Sequence, residues 1–294
     1  MGICTCEPVL RTKEKGQRTK KIAMRITLIG AGNLATNLGH ALRKAGHEIV
    51  QIYSRTMESA QTLANALDVS DFTNSIDQIH SDSELYIVSI KDAALSGIAT
   101  ELTKGKEDRL FVHTAGSMPM DTFTCPRRGV FYPMQTFSKQ RIVDFSHIPL
   151  FIEASQEEDL QLLHSLADTI TNSVYEMSSE DRKYLHVAAV FCCNFANHCS
   201  ALSAKILEKH NIPFSVMLPL IDETTRKIHT IPPKDAQTGP AVRYDENVMN
   251  RHIAILQEEG EERMADIYKM LSESIHQLSI NSQNEFFGAP SQKS

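Results

Sequence analysis

Residues 24–35 read MRITLIGAGNLA, and the architecture of the chain can be worked outward from them. The run Met24–Ile29 is short, apolar and closed by a glycine, as expected of a strand buried on both faces in a parallel sheet. Directly after it, NLATNLGHALRKAGH (33–47) places Leu34, Leu38, Ala41, Leu42 and Ala45 at helical spacing and stops at Gly46. A glycine-rich turn thus joins a buried strand to an amphipathic helix.

The same alternation continues. EIVQIYS (48–54), ELYIVSI (84–90), RLFVHTAG (109–116), GVFYP (129–133), IPLFIEA (148–154) and SVYEM (173–177) read as strands. Helices are predicted over Met57–Leu67, Ala93–Thr103 and Gln156–Thr169. Strands alternating with helices of about a dozen residues predict an α/β domain, a doubly wound parallel sheet covered on both faces. After Met177 the strands stop. Asp181–His210, Phe214–Ile228, Asp245–Glu258 and Glu261–Leu278 predict an all-α second domain, with Pro219 interrupting its second helix early. The expected division is a leader over 1–23, a Rossmann-like domain over 24–178 and a helical domain over 179–294. The leader is basic and has no periodic apolar face, so it reads as disordered or as an upstream start.

Gly30-Ala31-Gly32-Asn33-Leu34-Ala35 matches the dinucleotide fingerprint in the strand–turn–helix context that the fingerprint requires. Gly30 permits the tight turn, Gly32 lets the backbone approach a pyrophosphate, and Ala35 lets helix and strand pack closely. The amides of Asn33 and Leu34 open the helix and face the phosphates. A glycine turn used only for packing is the competing explanation. About 20 residues on, an NAD site usually carries an acidic residue for the ribose 2′-hydroxyl. This chain has Ser54, Arg55 and Thr56 there, a cation and two hydroxyls suited to a 2′-phosphate. NADP is therefore expected, with NAD the less favoured cofactor. Three further loops follow strands: SIKDAAL (89–95) with Ile90 and Lys91, HTAGSMP (113–119) with Thr114 and Gly116, and YPMQTFS (132–138).

In the long helix, His186, Cys193 and Asn197 fall within about 20° of one line, with Asn194 about 80° away. Polar groups in so apolar a stretch need partners. Either they satisfy one another between helices, or they face a nicotinamide across the domain cleft. Further on, GPAVRYDENVMNRH (239–252) crowds an arginine, an aspartate and a histidine around a Gly-Pro corner. Arg243 could hold a substrate carboxylate. Asp245 could cap the following helix and orient Arg243, and His252 could move a proton. The structural alternative is a corner with an aspartate cap paired to Arg243.

The ordered set LIGAGNLA, VSIKDAAL, HTAGS, FYPMQTFS, HVAAVFCCNFANH and GPAVRYDENVMNRH resembles a bacterial family that joins a Rossmann-like domain to a helical domain of unknown function. That family is similar in layout to pyrroline-5-carboxylate reductase and the 6-phosphogluconate dehydrogenase-like enzymes. The resemblance implies an NADP-linked oxidoreductase that dimerises through its helical domain. The Lys-x-x-x-Asn pair of the hydroxyacid dehydrogenases is absent from the long helix, where Lys183 is followed by Val187.

The bounds agree with this reading. The chain has 294 residues, enough for two domains, and a net charge of −6 gives no reason to expect nucleic acid or an anionic membrane as partner. No apolar run approaches the roughly 20 residues of a membrane span. Six cysteines without paired spacing predict no zinc site or other metal, and Cys192, Cys193 and Cys199 read as small core thiols in a protein of the reducing cytoplasm. Two functions remain: a reductase or dehydrogenase acting on a small carboxylated imine, ketone or hydroxy compound, and an NADP-binding sensor or partner-binding protein without turnover. A small-molecule substrate and a homodimer are the partners expected.

Overall fold

The computed structural model describes residues 23–287. The leader reading falls on 1–23, all but the last of which lie outside the described residues. Eight strands form one sheet in the order β3-β2-β1-β4-β5-β6-β7-β8. They are β1 (Arg25–Ile29), β2 (Glu48–Tyr53), β3 (Phe72–Thr73), β4 (Leu85–Val88), β5 (Leu110–His113), β6 (Arg128–Pro133), β7 (Leu150–Ala154) and β8 (Val174–Glu176). Helices α1 (Asn33–Lys44), α2 (Met57–Leu67), α3 (Asp92–Thr103) and α4 (Glu157–Ala167) cover it.

Both faces of the sheet are buried, and successive residues serve opposite cores. In β4, Leu85 and Ile87 join the core built with Leu38 and Leu42 of α1 and Leu63 and Leu67 of α2. Tyr86 and Val88 join the other, with Leu95 and Leu102 of α3. On that side the rings of Tyr86 and Phe111 stack at 4.4 Å. Burial on both sides explains why the strands read as continuous apolar runs rather than alternating ones.

The sheet departs from the all-parallel expectation at one place: β6 and β7 pair antiparallel, Gly129 opposite Ala154 and Pro133 opposite Leu150. Between them runs irregular chain with one turn of 3-10 helix (Phe145–His147) and no crossover helix, which antiparallel neighbours do not need. The two-residue strand β3 was also not expected; it is too short to carry a period.

Past the sheet come α5 (Ser179–Ala189), α6 (Ala196–Lys209), α7 (Leu218–Lys227), α8 (Glu246–Glu258) and α9 (Glu262–Phe287). The chain divides into two compact units, 1–194 and 195–294, so the break falls beyond the expected Ser178. The reason is α5, whose Arg182 is fully buried against the sheet unit. Its guanidinium donates to Glu153 Oε2 of β7 at 2.7 Å and to the Met118 carbonyl at 2.6 Å.

In place of one uninterrupted α-helix, residues Val190–Phe195 form a π-helical segment between α5 and α6. The extra residue per turn shifts the angular register, so the alignment of His186 with Cys193 and Asn197 at 100° per residue does not hold. Cys192, Cys193 and Cys199 are exposed rather than core thiols. So are Tyr184, Val187, Phe191 and Phe195. The helical run Ser179–Lys209 is also long and apolar enough to cross a membrane by length and composition, with a mean hydropathy of 1.2 in its most apolar window, contrary to the expectation above. The buried ion pair of Arg182 ties its first turns to the sheet.

In the second unit, Leu256 of α8 and Met264 and Ala265 of α9 form a small core with Leu202 and Ile206 of α6. Pro219 stands in the first turn of α7, where a missing N–H costs nothing. The expected early interruption is thus a helix start, preceded by a 3-10 turn over Phe214–Met217.

Candidate functional site

The strand order reverses between β1 and β4, which places the carboxyl ends of β1, β2, β4, β5 and β6 around one edge of the sheet. Open α/β sheets bind ligands at such an edge. Gly30 leaves β1 at φ +120°, and a Cβ there would lie 2.1 Å from the Ser89 carbonyl oxygen. Only glycine fits both the conformation and the contact. Gly30 donates to the Tyr53 carbonyl at 2.8 Å, and Ser89 donates to that of Ile29 at 2.7 Å. The turn is thereby fixed between β2 and β4.

Gly32 is different. It is the N-cap of α1, no side chain caps that helix, and a Cβ added there would meet nothing within 4 Å. Packing within the protein does not call for glycine at this position. Asn33 is exposed and Leu34 half-buried in the uncapped first turn, while Ala35 is fully buried. Deeper in α1, the buried Asn37 donates to the Ser138 carbonyl at 2.9 Å and accepts from Val143 N at 3.0 Å. The loop after β6 is thus held on α1.

At the end of β2 the three candidate side chains separate in role. Thr56 caps α2, accepting from Ser59 N at 3.4 Å and donating to its hydroxyl at 2.8 Å. Its hydroxyl is already engaged. Ser54 uses its backbone N–H on the Thr73 carbonyl. Arg55 is exposed and makes no ion pair among the described residues. Beyond β4, Ile90 packs under the α3 core and the exposed Lys91 is the N-cap of α3. Asp92 accepts a hydrogen bond from Ser117, linking the loops after β4 and β5. Thr114 is buried, its N–H on the Val88 carbonyl at 3.1 Å.

A second cluster lies at the ends of β5 and β6. A Cβ on Gly116 would come within 2.3 Å of His186 Nδ1 and 3.0 Å of Tyr132 Cζ. Gly116 is thus required by a histidine that lies against the loop, a reason the sequence did not suggest. Tyr132 Oη lies 3.1 Å from His186 Nδ1, with the two rings edge to face at 6.1 Å. Burial raises the Tyr132 phenol above its ordinary range, so it stays protonated through neutrality. Tyr132 was not singled out from sequence, since its partner lies 54 positions away.

His113 stands just below this cluster in the chain. It is held down to about 4 by burial first and by the Arg182 charge second, so at neutral pH it is uncharged. Its Nδ1 accepts from Ala115 N at 3.3 Å and its Nε2 lies 3.1 Å from the Pro119 carbonyl. It pins the loop rather than titrating in the working range.

The remaining sequence candidates are placed otherwise. Asn194 is exposed in the π-helical segment, so no buried amide there needs a partner. Asp245 caps α8, accepting from Val248 N at 3.3 Å. Arg243 is exposed and unpaired with Asp245 among the described residues; Tyr244, at φ +52°, separates them and lies against the His276 ring, centroids 4.3 Å apart and tilted by 31°. Asp245 therefore does not orient Arg243. His252 Nδ1 lies 2.9 Å from Tyr268 Oη of α9. No group of metal-ligating side chains occurs among the described residues.

The chain is similar to known proteins over most of its length. Residues 25–116 match the family described as NADP oxidoreductase, coenzyme F420-dependent, and residues 148–275 match a domain of unknown function, DUF2520. A crystal structure of an inferred NADP oxidoreductase from Bacteroides fragilis is 53% identical, with a TM-score of 0.83 over 87% of this chain and 98% of that one. A Thermotoga maritima protein is 21% identical, covering 86% and 99% of the two chains at a TM-score of 0.70. Pyrroline-5-carboxylate reductase from Coxiella burnetii shares the fold at 15% identity, 88% and 99% coverage and a TM-score of 0.52. No curated protein matches the chain significantly. With more than half of its residues identical to the Bacteroides protein across almost all of that chain, the protein belongs to the family that joins an NADP oxidoreductase-type Rossmann domain to the domain of unknown function 2520.

Proposed function

We propose that the protein is an NADP-dependent oxidoreductase acting on a small carboxylated imine, ketone or hydroxy compound. One observation carries the cofactor half of this reading: the uncapped N-terminus of α1 at Gly32, open beside a turn that only glycine can make at Gly30. Exposed N–H groups and the positive helix end suit a pyrophosphate. Gly30, Gly32, Asn33 and Leu34 form that cradle, and Ile90, Lys91, Thr114 and Gly116 border the rest of the nucleotide. Arg55, unengaged at the end of β2, supplies the charge for a 2′-phosphate, with Ser54 beside it.

Bound nicotinamide supplies or accepts the hydride. His186, at the ends of β5 and β6, serves the proton that must reach or leave the substrate heteroatom. Arg243 is the proposed anchor for a substrate carboxylate. The protein is further proposed to act in the cytoplasm as a homodimer.

Fluorescence titration with NADPH and NADH tests the cofactor assignment. NADPH should bind at least tenfold more tightly, and Arg55→Ala should remove most of the difference. Equal affinities, or selectivity unchanged by Arg55→Ala, would overturn the NADP reading. A folded Gly32→Val that binds normally would overturn the pyrophosphate seat.

A further inference from the structure

His186 offers only one of its two ring nitrogens to the surrounding protein. Nδ1 is taken by the Tyr132 hydroxyl at 3.1 Å, and Nε2 has no hydrogen-bond partner among the described residues. The tyrosine itself is held firmly. It is the last residue but one of β6, is 8% exposed and packs with Val130, Phe151 and Met177 under Leu185 of α5. Gly116 contributes by omission: any side chain there would occupy the place of Nδ1. Three elements, β5, β6 and α5, therefore fix the ring in one orientation.

We infer that Tyr132 is a positioning residue whose hydroxyl sets which nitrogen of His186 carries the proton, leaving Nε2–H to face the substrate heteroatom. The inference rests on the oxidoreductase reading above for what meets Nε2. A neutral imidazole has one donor and one acceptor nitrogen. The Tyr132 hydroxyl can donate to a bare Nδ1 or accept from Nδ1–H; in the proposed arrangement it donates, and the proton of the neutral ring is on Nε2. When the ring takes a second proton, Nδ1–H donates to the same oxygen, whose hydrogen swings away. The tyrosine can thus accompany the histidine through both states without moving a heavy atom. In the reductive direction, the hydride goes to the C=N or C=O carbon, the Nε2 proton goes to the heteroatom, and the imidazolium becomes the neutral Nε2-deprotonated ring. Nε2 then takes a proton back from solvent, which restores the imidazolium that delivers it. The charged and titratable groups that act on Tyr132 are Arg182 of α5, Cys193 of the π-helical segment and Asp92 of α3.

The test uses full-length protein with 15N-labelled histidine. In the wild type, the two-bond correlation pattern of the neutral His186 ring, assigned by its loss in His186→Gln, should show an acceptor-type Nδ1 and a protonated Nε2. Tyr132→Phe should convert this to a mixture of both tautomers, while NADPH affinity and the melting curve change little. Gly116→Ala should produce the same mixture by displacing the ring, which keeps the test open if Tyr132→Phe folds poorly. A wild-type ring protonated on Nδ1, or a pattern unchanged in both variants, would overturn the inference. Loss of NADPH binding by the wild type would instead overturn the oxidoreductase reading and leave the tautomer result standing.

Discussion

Arg182 shows how much a single side chain decides in this molecule. It is fully buried, yet it carries a charge, and that is tolerable because Glu153, Ser179 and the Met118 carbonyl all accept from it. Removing one partner of a buried pair leaves the other charged and unmatched. Arg182→Met should therefore cost about 3–5 kcal/mol in urea unfolding, far more than removal of an exposed ion pair. His113 makes a second residue-scale prediction. Its folded value of about 4 lies below the ordinary 6.5, so the unfolded chain takes up a proton that the folded chain refuses. The stabilisation is complete above pH 6.5 and is lost as pH falls through that window toward 4, up to about 3 kcal/mol from this group. His113→Gln, measured by denaturant titration at pH 7 and pH 4.5, should flatten that slope. Of these residues the sequence revealed little. Gly30, Gly32 and Arg55 could be found because strand, turn and helix lie side by side in the chain. Tyr132, Arg182 and Glu153 act across tertiary contacts that no local pattern records.

Among the elements, α1 starts without a side-chain cap, as α3, α4, α6 and α7 also do, but it alone of these follows the glycine turn at Gly30. A Gly32→Asp substitution supplies the missing acceptor for the first-turn N–H groups at a position where an added Cβ meets nothing within 4 Å. It should leave stability unchanged or raise it by about 0.5 kcal/mol. The same carboxylate would stand where a phosphate is proposed to sit, so NADPH affinity should drop at least tenfold. Calorimetry of the folded variant with NADPH reads both effects, and normal binding would count against the cradle. Other elements were less legible. The apolar runs of β6 and β7 announce strands but not their relative direction, which follows from the missing helix between them. The π-helical segment Val190–Phe195 has the composition of ordinary helix, so a fixed 100° step carried His186 onto a false line with Cys193 and Asn197. In GPAVRYDENVMNRH the aspartate cap was legible and the separation of Arg243 from Asp245 was not, because it depends on the left-handed backbone at Tyr244.

Taken whole, the molecule exposes an unusual amount of large apolar surface in its helical unit, including Phe195, Val216, Leu218, Leu220, Met270, Leu271 and Leu278. Where such side chains join into one patch they mark an interaction site, and a two-fold pair of identical chains is the commonest way to cover it. Light scattering at micromolar concentration should therefore give twice the 32.9 kDa of one chain; a single-chain mass would remove the homodimer proposal. The overall plan, sheet first and helices after, was readable from where the strands stop. The position of the break was not, because the first helix after the sheet belongs with the sheet. That attachment has a practical consequence for anyone dividing the gene. A fragment ending at Ser178 would strip Glu153 of its cation and bare Leu185's seat on the β6–β7 cluster. A fragment carried on through Asn194 would keep both. The shorter piece should aggregate on expression and the longer one should stay monomeric and still bind NADPH, so the smallest autonomous nucleotide-binding module of this chain is one helix longer than its strands suggest.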